Sequence, residues 1–170
     1  MTTVKFQGTD VALTSDKLVA VGDNLANLKF TTKDLADKSL KDYAGQVVVL
    51  NVFPSIDTGV CAMSVREFNG ILNNLTGTKV LCVSADLPFA AGRFCAAEGL
   101  NNVETVSTFR HPETLESLGL KLAEGPLAGL SARAVVVLDK ELNVKYVQLS
   151  PEITEAVDFD KAVEAVKELL

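Results

Sequence analysis

Cysteine is the residue type with the clearest capacity for chemistry in this sequence. The chain has three cysteines, Cys61, Cys82 and Cys95, and one histidine, His111. The cysteines form no C-x-x-C pair and His111 lies in a different kind of segment, so no metal site is expected. Secreted disulfide scaffolds usually carry a denser, even-numbered set of cysteines. Each thiol is therefore interpreted either as a buried bystander or as a redox catalyst.

Cys61 is the first candidate for catalysis because of its place along the chain. It follows a buried strand and a loop, and it stands at the predicted start of a helix. The unpaired N–H groups and the dipole of a helix N-terminus stabilise a thiolate, which is the nucleophilic form of cysteine. Open α/β sheets also place their ligands at the carboxyl ends of strands. Position alone leaves a second interpretation open, in which Cys61 is a small apolar residue of the core.

The elements that flank Cys61 are predicted from hydrophobic patterning. Residues 46–53 are mostly apolar and β-branched, as expected of a strand covered on both faces, and Pro54 ends it. After the loop, apolar residues recur at steps of four and three, which predicts an amphipathic helix. That apolar stripe consists of Cys61, Val65, Phe68, Leu72 and Leu75.

The rest of the chain alternates strands and helices. A small hairpin is predicted around the turn Gly8-Thr9-Asp10, and a helix with Asp86 as its cap, Pro88 in its first turn and Gly99 at its end. The pattern predicts an α/β fold with a mixed sheet flanked by helices, forming one domain over residues 1–170. The further predicted elements are strands at 28–32, 79–84, 103–108, 132–138 and 144–149, a short helix at 111–118, and a final helix with Phe159, Val163, Val166 and Leu170 on one stripe.

Composition limits the classes of function. The 170-residue chain is 48% hydrophobic and has a net charge of -6, with no basic stretch, which argues against a nucleic-acid partner. No apolar run is long enough to span a bilayer, so no membrane association is expected. The N-terminal residues lack the apolar core of a signal peptide, and we therefore expect a cytoplasmic protein.

Two motifs around the cysteines carry a family resemblance. Pro54-Ser-Ile-Asp-Thr58-Gly-Val-Cys61 resembles the P-x-x-x-T-x-x-C pattern of the peroxiredoxins. Together with Ser84-Ala-Asp-Leu-Pro-Phe89, Arg93-Phe-Cys95 and Ser131-Ala-Arg133, it is similar to the thiol peroxidase branch of that family. The resemblance covers nearly the whole chain, including the N-terminal hairpin, and it implies a thioredoxin-like fold.

The resemblance implies a role for each motif residue. Cys61 would attack a peroxide oxygen and become a sulfenic acid, and Cys95 would resolve it as an intrachain disulfide. Thr58 would hydrogen-bond both the sulfur and the peroxide, Pro54 would limit access of water, and Arg133 would place a fixed positive charge beside the thiolate. Taken singly, these three residues have commoner structural roles as a turn residue, a strand stop and a solvated arginine.

The resemblance also implies the wider function. The substrates would be hydrogen peroxide and alkyl or lipid hydroperoxides, the reductant would be thioredoxin, and the protein would be a homodimer with no cofactor. No chemical step is assigned to Ser55 or Asp57. Cys82 lies within an apolar strand and is interpreted as an inert buried thiol.

Cys95 poses a geometric problem, because it and Cys61 are placed on separate helices. Disulfides need Cα atoms about 4.4–6.8 Å apart. We therefore expect the Cys95 helix and the first turn at Cys61 to unwind during turnover. Gly92 lies inside that helix, where a glycine lowers helix stability by roughly 1 kcal/mol relative to alanine. It therefore favours such opening.

Three alternatives remain open at this stage. A Cys61–His111 dyad requires the imidazole to reach the sulfur, whereas His111 reads as the start of a short helix. A thioredoxin-like disulfide reductase needs C-x-x-C, but Thr58 and Ser64 occupy the positions three residues from Cys61. A peroxide sensor would oxidise Cys61 once and signal without rapid turnover.

Overall fold

A mixed β-sheet runs through the centre of the computed structural model, which describes residues 2–72, 75–99 and 103–170 but not the side chains of 71, 72 and 98. In the described ranges the sheet has seven strands in the order β4-β3-β7-β6-β5-β8-β9. The central strands β5, β6 and β7 are parallel, and the outer pairs are antiparallel. The strands are β1 Thr3–Phe6, β2 Thr9–Ala12, β3 Lys29–Thr32, β4 Asp37–Ser39, β5 Val47–Val52, β6 Thr78–Ser84, β7 Val103–Ser107, β8 Ala134–Leu138 and β9 Val144–Leu149.

Helices connect and cover these strands. The four α-helices of the described ranges are α1 Gly59–Leu72, α2 Pro88–Glu98, α3 Glu113–Ser117 and α4 Phe159–Glu168, and a 3₁₀ turn spans Leu40–Tyr43. The predicted α/β class with a mixed sheet is confirmed. Among these helices, none is both long and apolar enough to cross a membrane.

The central strand β5 is buried at every position, as its β-branched sequence predicts. One face of the sheet packs against the N-terminal hairpin and α3, with Phe30, Leu50 and Leu115 among its buried residues. The opposite face packs against α1 and α4 and contains Val49, Cys61 and Val166. Phe94 and Cys95 of α2 also pack against this second face. Helices α1, α2 and α4 therefore contribute to one core, which contains the candidate nucleophile Cys61.

The N-terminal hairpin forms as predicted, but its turn is displaced. β1 and β2 pair from Thr3↔Ala12 to Phe6↔Thr9, so the turn residues are Gln7 and Gly8, and not Gly8 to Asp10. Both have positive φ, 51° and 84°, as two-residue turns between twisted strands require. Gly8 suits that geometry because it has no Cβ.

Several helix boundaries also differ from the sequence prediction. Asp86 does not cap α2, because Leu87 occupies the N-cap position and makes no side-chain cap hydrogen bond. Gly99 ends α2 in the left-handed conformation with φ 66°, as predicted. α3 is shorter than residues 111–118, and the short edge strand β4 was not predicted.

The hydrophobic stripes of the helices are mostly as predicted. Val65 and Phe68 of α1 are buried, whereas the side chain of Leu72 lies outside the described part of the chain. In α4, Val166 is buried, but Leu170 is 49% exposed because the helix ends before it.

Candidate active site

Cys61 is the third residue of α1, and its thiol is free and fully buried. The carbonyl of Thr58 accepts a hydrogen bond from the N–H of Ala62 at 3.0 Å, so helical pairing begins at the last loop residue. Cys61 therefore lies in the first turn, where backbone N–H groups have no partner within the helix. This places its sulfur at the positive end of the helix dipole.

Arg133 lies directly against Cys61. It precedes β8 by one residue and is only 3% exposed. Its Nη1 donates to Cys61 Sγ at 3.1 Å, and its Nε donates to the carbonyl of Ile153 at 2.9 Å. Arginine stays charged when buried, and a buried cation needs polar or anionic partners. The contact thus places a fixed positive charge directly against the sulfur, in a region from which water is excluded.

The loop before Cys61 is held by its own hydrogen bonds. Pro54 is buried next to the end of β5, whereas Thr58 is exposed. Thr58 Oγ1 donates to the carbonyl of Ser55 at 3.0 Å, and Ser55 Oγ accepts from the N–H of Asp57 at 3.2 Å. The single hydroxyl proton of Thr58 is thus used within the loop, and only its lone pairs are available to another group.

Asp86 anchors this loop to the end of β6. Its carboxylate accepts from Ser55 Oγ at 2.7 Å, from the N–H of Ile56 at 2.7 Å and from Ser84 Oγ at 2.8 Å. Because α2 starts at Pro88, the same aspartate connects the Cys61 loop with the helix that carries Cys95. The prediction that Asp86 caps α2 is wrong, because its carboxylate accepts hydrogen bonds from the Cys61 loop instead.

A buried polar contact fixes α1 to the sheet. Asn51 on β5 is 1% exposed, and its Nδ2 donates to Ser64 Oγ at 3.1 Å. Ser64 Oγ in turn donates to the carbonyl of Cys61 at 2.7 Å. The first turn of α1 is therefore tied to the central strand through the backbone of the candidate nucleophile.

Cys82 lies on β6, the strand next to the Asn51 strand β5. The strand register places Asn51 beside Cys82 and Cys82 beside Thr105, in one row across the sheet. Cys82 is 1% exposed and weakly accepts from Asn51 Nδ2 at 3.8 Å. Burial raises the pKa of Cys82 to about 12, against the opposing effect of the Asn51 contact.

Cys95 is half-buried on α2 and faces β7. Burial raises its pKa, while a hydrogen bond to Thr105 and the charge of Lys33 oppose that effect. An open cavity of about 520 Å³ lies at this thiol, with Lys79 and Glu104 on its wall. These two side chains form an ion pair at 3.2 Å.

Cys61 and Cys95 lie over different parts of the sheet. Cys61 contacts Arg133 at the start of β8, whereas Cys95 contacts Thr105 on β7. The strands β5 and β6 lie between β8 and β7. The two thiols therefore contact residues of strands that are not neighbours in the sheet, and both are free.

His111 lies beside the edge strand β4, whereas Cys61 contacts Arg133 at the start of β8, towards the other edge of the sheet. Its Nε2 is 3.0 Å from Asp37 Oδ1, and its Nδ1 is 3.6 Å from Glu113 Oε1. Both ring nitrogens therefore face carboxylates, and no geometry supports a dyad with Cys61. In the described residues, no group of three or more potential metal ligands is clustered.

Sequence reasoning missed three contributors to this site. Asn51 is a polar residue inside an otherwise apolar strand, which is a detectable anomaly. Asp86 was noticed but given a capping role. The carbonyl of Ile153, which accepts from Arg133, is a backbone group and leaves no trace in the sequence.

Comparisons with known proteins identify relatives of this chain. The sequence profile of the family described as Redoxin matches residues 20–166. A thiol peroxidase from Corynebacterium glutamicum is 49% identical over 166 residues, which cover 98% of this chain and 99% of that protein.

Solved structures show the same fold. A crystal structure of a peroxiredoxin-like protein from Aquifex aeolicus matches with a TM-score of 0.91 and 41% identity, covering 99% of this chain and 97% of that one. A thiol peroxidase from Chromobacterium violaceum matches with a TM-score of 0.88 and 21% identity over 98% and 95% of the two chains, which supports the fold alone.

Proposed function

The chain belongs to the Redoxin family and is a peroxidase of the peroxiredoxin type, and from this premise we propose that Cys61 reduces hydrogen peroxide and alkyl or lipid hydroperoxides with electrons supplied by thioredoxin. The observation that carries the proposal is the buried Arg133 Nη1–Cys61 Sγ contact at 3.1 Å in the first turn of α1. A cation and a helix N-terminus converge there on one sulfur, which is the environment of a reactive thiolate.

The first step is a displacement at oxygen. The thiolate of Cys61 attacks the terminal peroxide oxygen, an S–O bond forms and the O–O bond breaks. The leaving alkoxide or hydroxide takes up a proton and departs as alcohol or water, and Cys61 becomes a sulfenic acid. Arg133 stabilises the charge that develops on the peroxide oxygens, since its fork presents several donors from a fixed position.

Thr58 and Pro54 complete the peroxide site in this proposal. The exposed hydroxyl of Thr58 now donates to the carbonyl of Ser55. Rotation of that hydroxyl frees its proton for a peroxide oxygen while its lone pairs accept from the substrate. Pro54 is buried at the base of the loop and limits access of water to the sulfur.

Resolution by Cys95 requires movement. Cys95 attacks the sulfenic sulfur, an intrachain Cys61–Cys95 disulfide forms, and the sulfenic oxygen leaves as water. Cys61 is in the first turn of α1 and Cys95 is within α2. Because a disulfide needs Cα atoms about 4.4–6.8 Å apart, the first turn of α1 and part of α2 unwind for this step. Support comes from Gly92 in α2, which weakens the helix, and from the raised pKa of Cys95, whose thiol must leave its half-buried position to become a nucleophile.

Thioredoxin then reduces the disulfide by thiol–disulfide exchange. The protein itself needs no cofactor for these steps, and neither a nucleic acid nor a membrane takes part. We place the enzyme in the cytoplasm, the compartment in which thiols are kept reduced. Residues 1–170 act as one domain, because the hairpin and the main sheet share a core.

A homodimer is the assembly we propose, formed through an exposed apolar patch made of Leu35, Leu87, Phe89 and Phe109. These side chains are 44–68% exposed and surround a cavity of about 280 Å³. Large exposed apolar patches mark interaction surfaces. The rim carries both signs of charge, Arg110 and Asp37, which suits a twofold interface where the same patch meets itself.

The test is a peroxidase assay coupled to thioredoxin and its reductase. We expect activity in the wild type, none in Cys61→Ser, nearly full activity in Cys82→Ser, and loss of thioredoxin-linked turnover in Cys95→Ser. Multiple turnovers distinguish a peroxidase from a sensor that oxidises once. Loss of activity in Cys82→Ser with retention in Cys95→Ser would overturn the choice of resolving cysteine.

A further inference from the structure

The guanidinium of Arg133 is held at two points, and only one of them is the cysteine. Its Nε donates to the carbonyl of Ile153 at 2.9 Å, while Nη1 reaches Cys61 Sγ. Because Nε and Nη1 belong to one rigid plane, the position of the Ile153 carbonyl sets the direction in which Nη1 points. Any group that fixes this carbonyl therefore influences the environment of the sulfur.

The peptide unit that bears this carbonyl is fixed from its opposite side. Its N–H belongs to Thr154 and donates to Glu152 Oε2 at 3.0 Å. A peptide unit is planar, so holding the N–H also orients the carbonyl. The negative carboxylate on the N–H side polarises the unit and strengthens the carbonyl as an acceptor for the guanidinium.

The same carboxylate binds the turn of the N-terminal hairpin. Glu152 accepts from the N–H of Gly8 at 2.8 Å and from the N–H of Gln7 at 3.2 Å. The three backbone donors, foremost that of Thr154, lower the pKa of Glu152 to about 2, which keeps it ionised at neutral pH. Glu152 thus joins the hairpin turn to the peptide unit that orients Arg133.

Backbone pairing reinforces this connection. The N–H of Lys5 on β1 donates to the carbonyl of Pro151 at 2.7 Å, and the N–H of Ile153 donates to the carbonyl of Lys5 at 2.8 Å. β1 therefore continues as a short parallel bridge along the segment that contains Glu152. The hairpin strands β1 and β2 lie outside residues 20–166, which the Redoxin family profile matches.

We propose that Glu152 is a positioning residue for the peroxidase reaction, which links the turn of the N-terminal hairpin through the Ile153–Thr154 peptide to the guanidinium of Arg133. The inference rests on the proposed function of Arg133 at Cys61. It gives the hairpin a catalytic purpose, since an element outside the family domain sets the geometry of the cation at the nucleophile.

The variant that tests the proposal is Glu152→Gln, which keeps the size of the side chain and removes its charge. Glu155→Gln is the matched control, because Glu155 is an exposed glutamate in the same segment. Gly8→Ala perturbs the connection from the hairpin side, where φ of 84° disfavours any residue with a Cβ. Stability of each variant is checked by thermal unfolding.

The measured quantity is the second-order rate constant for oxidation of Cys61 by hydrogen peroxide, followed by acid quench and mass spectrometry. We expect Glu152→Gln to lower it roughly tenfold, since small displacements of a catalytic group reduce rates by such factors. Glu155→Gln is expected to leave it unchanged, and Gly8→Ala to lower it in the same direction as Glu152→Gln.

A double-mutant cycle with Arg133→Gln separates positioning from general support of the fold. If Glu152 acts through Arg133, Glu152→Gln has less than a twofold effect in the Arg133→Gln background. An equal tenfold loss in both backgrounds, or no loss with Arg133 present, overturns the inference. If Arg133→Gln alone leaves the rate constant unchanged, the proposed function of Arg133 fails instead.

Discussion

At the scale of single residues, the contact between Arg133 and Cys61 makes the strongest prediction. Replacing Arg133 by lysine keeps a charge but loses the planar fork that contacts both Cys61 Sγ and the Ile153 carbonyl. Loss of one preorganised donor to a transition state typically lowers rates by 10² to 10³. We expect Arg133→Lys to slow oxidation of Cys61 by hydrogen peroxide by roughly 100-fold.

This prediction is checked by the same quenched oxidation assay, with circular dichroism to confirm that the variant is folded. Arg110→Lys is the control, because Arg110 is an exposed arginine paired with Asp37. A rate constant within threefold of the wild type in Arg133→Lys would show that the fork geometry is unimportant and that charge alone suffices.

Cys82 gives a prediction about pH at the same scale. Burial raises its pKa to about 12, from an ordinary value of 9.0, so the folded thiol stays protonated through the range in which an unfolded thiol ionises. In a Cys61→Ser/Cys95→Ser protein we therefore expect iodoacetamide to alkylate Cys82 very slowly at pH 9 in buffer and rapidly in urea. The mass increase with time measures both rates.

The sign of the stability effect follows from the same shift. The contribution of the protonated Cys82 to stability is fully present below pH 9 and is lost as the pH rises from 9 towards about 12, because only the unfolded chain releases the proton there.

The control for the alkylation experiment is the half-buried Cys95, studied alone in a Cys61→Ser/Cys82→Ser protein. We expect it to react with iodoacetamide faster than Cys82 does. Equal native rates for the two thiols would contradict this account.

At the scale of elements, the first turn of α1 has to open for the disulfide to form, and Ser64 opposes that opening. Its hydroxyl donates to the carbonyl of Cys61 and accepts from Asn51. A hydrogen bond of this kind contributes about 1 kcal/mol, roughly a factor of five in the opening equilibrium. We expect Ser64→Ala to accelerate disulfide formation after oxidation by a few-fold.

Disulfide formation lowers the mass of the protein by two units relative to the reduced form. Samples are quenched with acid at intervals after one equivalent of peroxide is added, and their masses give the rate. The chain contains no tryptophan, so mass spectrometry replaces the usual fluorescence assay. Ser117→Ala is the matched control, since Ser117 makes the same bond to the carbonyl of Thr114 on α3. Slower disulfide formation in Ser64→Ala would mean that the contact promotes resolution.

The elements of the site differ in how far the sequence predicts them. The strand β5 and the start of α1 follow from patterning, because burial on both faces and a 3.6-residue stripe leave a clear trace. The position of Asp86 misled, because an aspartate before a helix usually caps it, whereas here tertiary contacts to the Ser55 loop take its carboxylate. Contacts between distant segments, such as Arg133 to Ile153, cannot be derived from local preferences.

At the scale of the whole molecule, the sequence predicts the α/β class with a mixed sheet, but it does not predict every edge strand of that sheet. The edge strand β4 is short and polar, so it has no hydrophobic alternation to detect. The observed turn at Gln7 and Gly8 starts one residue and ends two residues before the predicted one, since Thr9 and Asp10 look like turn residues but are paired in β2. The motif resemblance predicts the candidate site residues, and the fold explains how their side chains are held.

The exposed apolar patch makes a prediction about assembly. We expect Phe109→Glu to shift the protein from dimer to monomer in sedimentation velocity, because it places a charge within the apolar patch of the proposed interface. Val21→Glu is the control, since Val21 is 64% exposed and is not part of the patch. A dimer of unchanged affinity in Phe109→Glu would place the interface elsewhere.

The central claim is that the buried sulfur of Cys61 is the atom that takes oxygen from the peroxide. The most direct test exposes Cys95→Ser protein to one equivalent of hydrogen peroxide in the presence of dimedone and maps the adduct by peptide mass spectrometry. We expect near-stoichiometric labelling of Cys61 and none of Cys82, with labelling abolished in Cys61→Ser/Cys95→Ser. An unlabelled Cys61, or a label on Cys82, would contradict it.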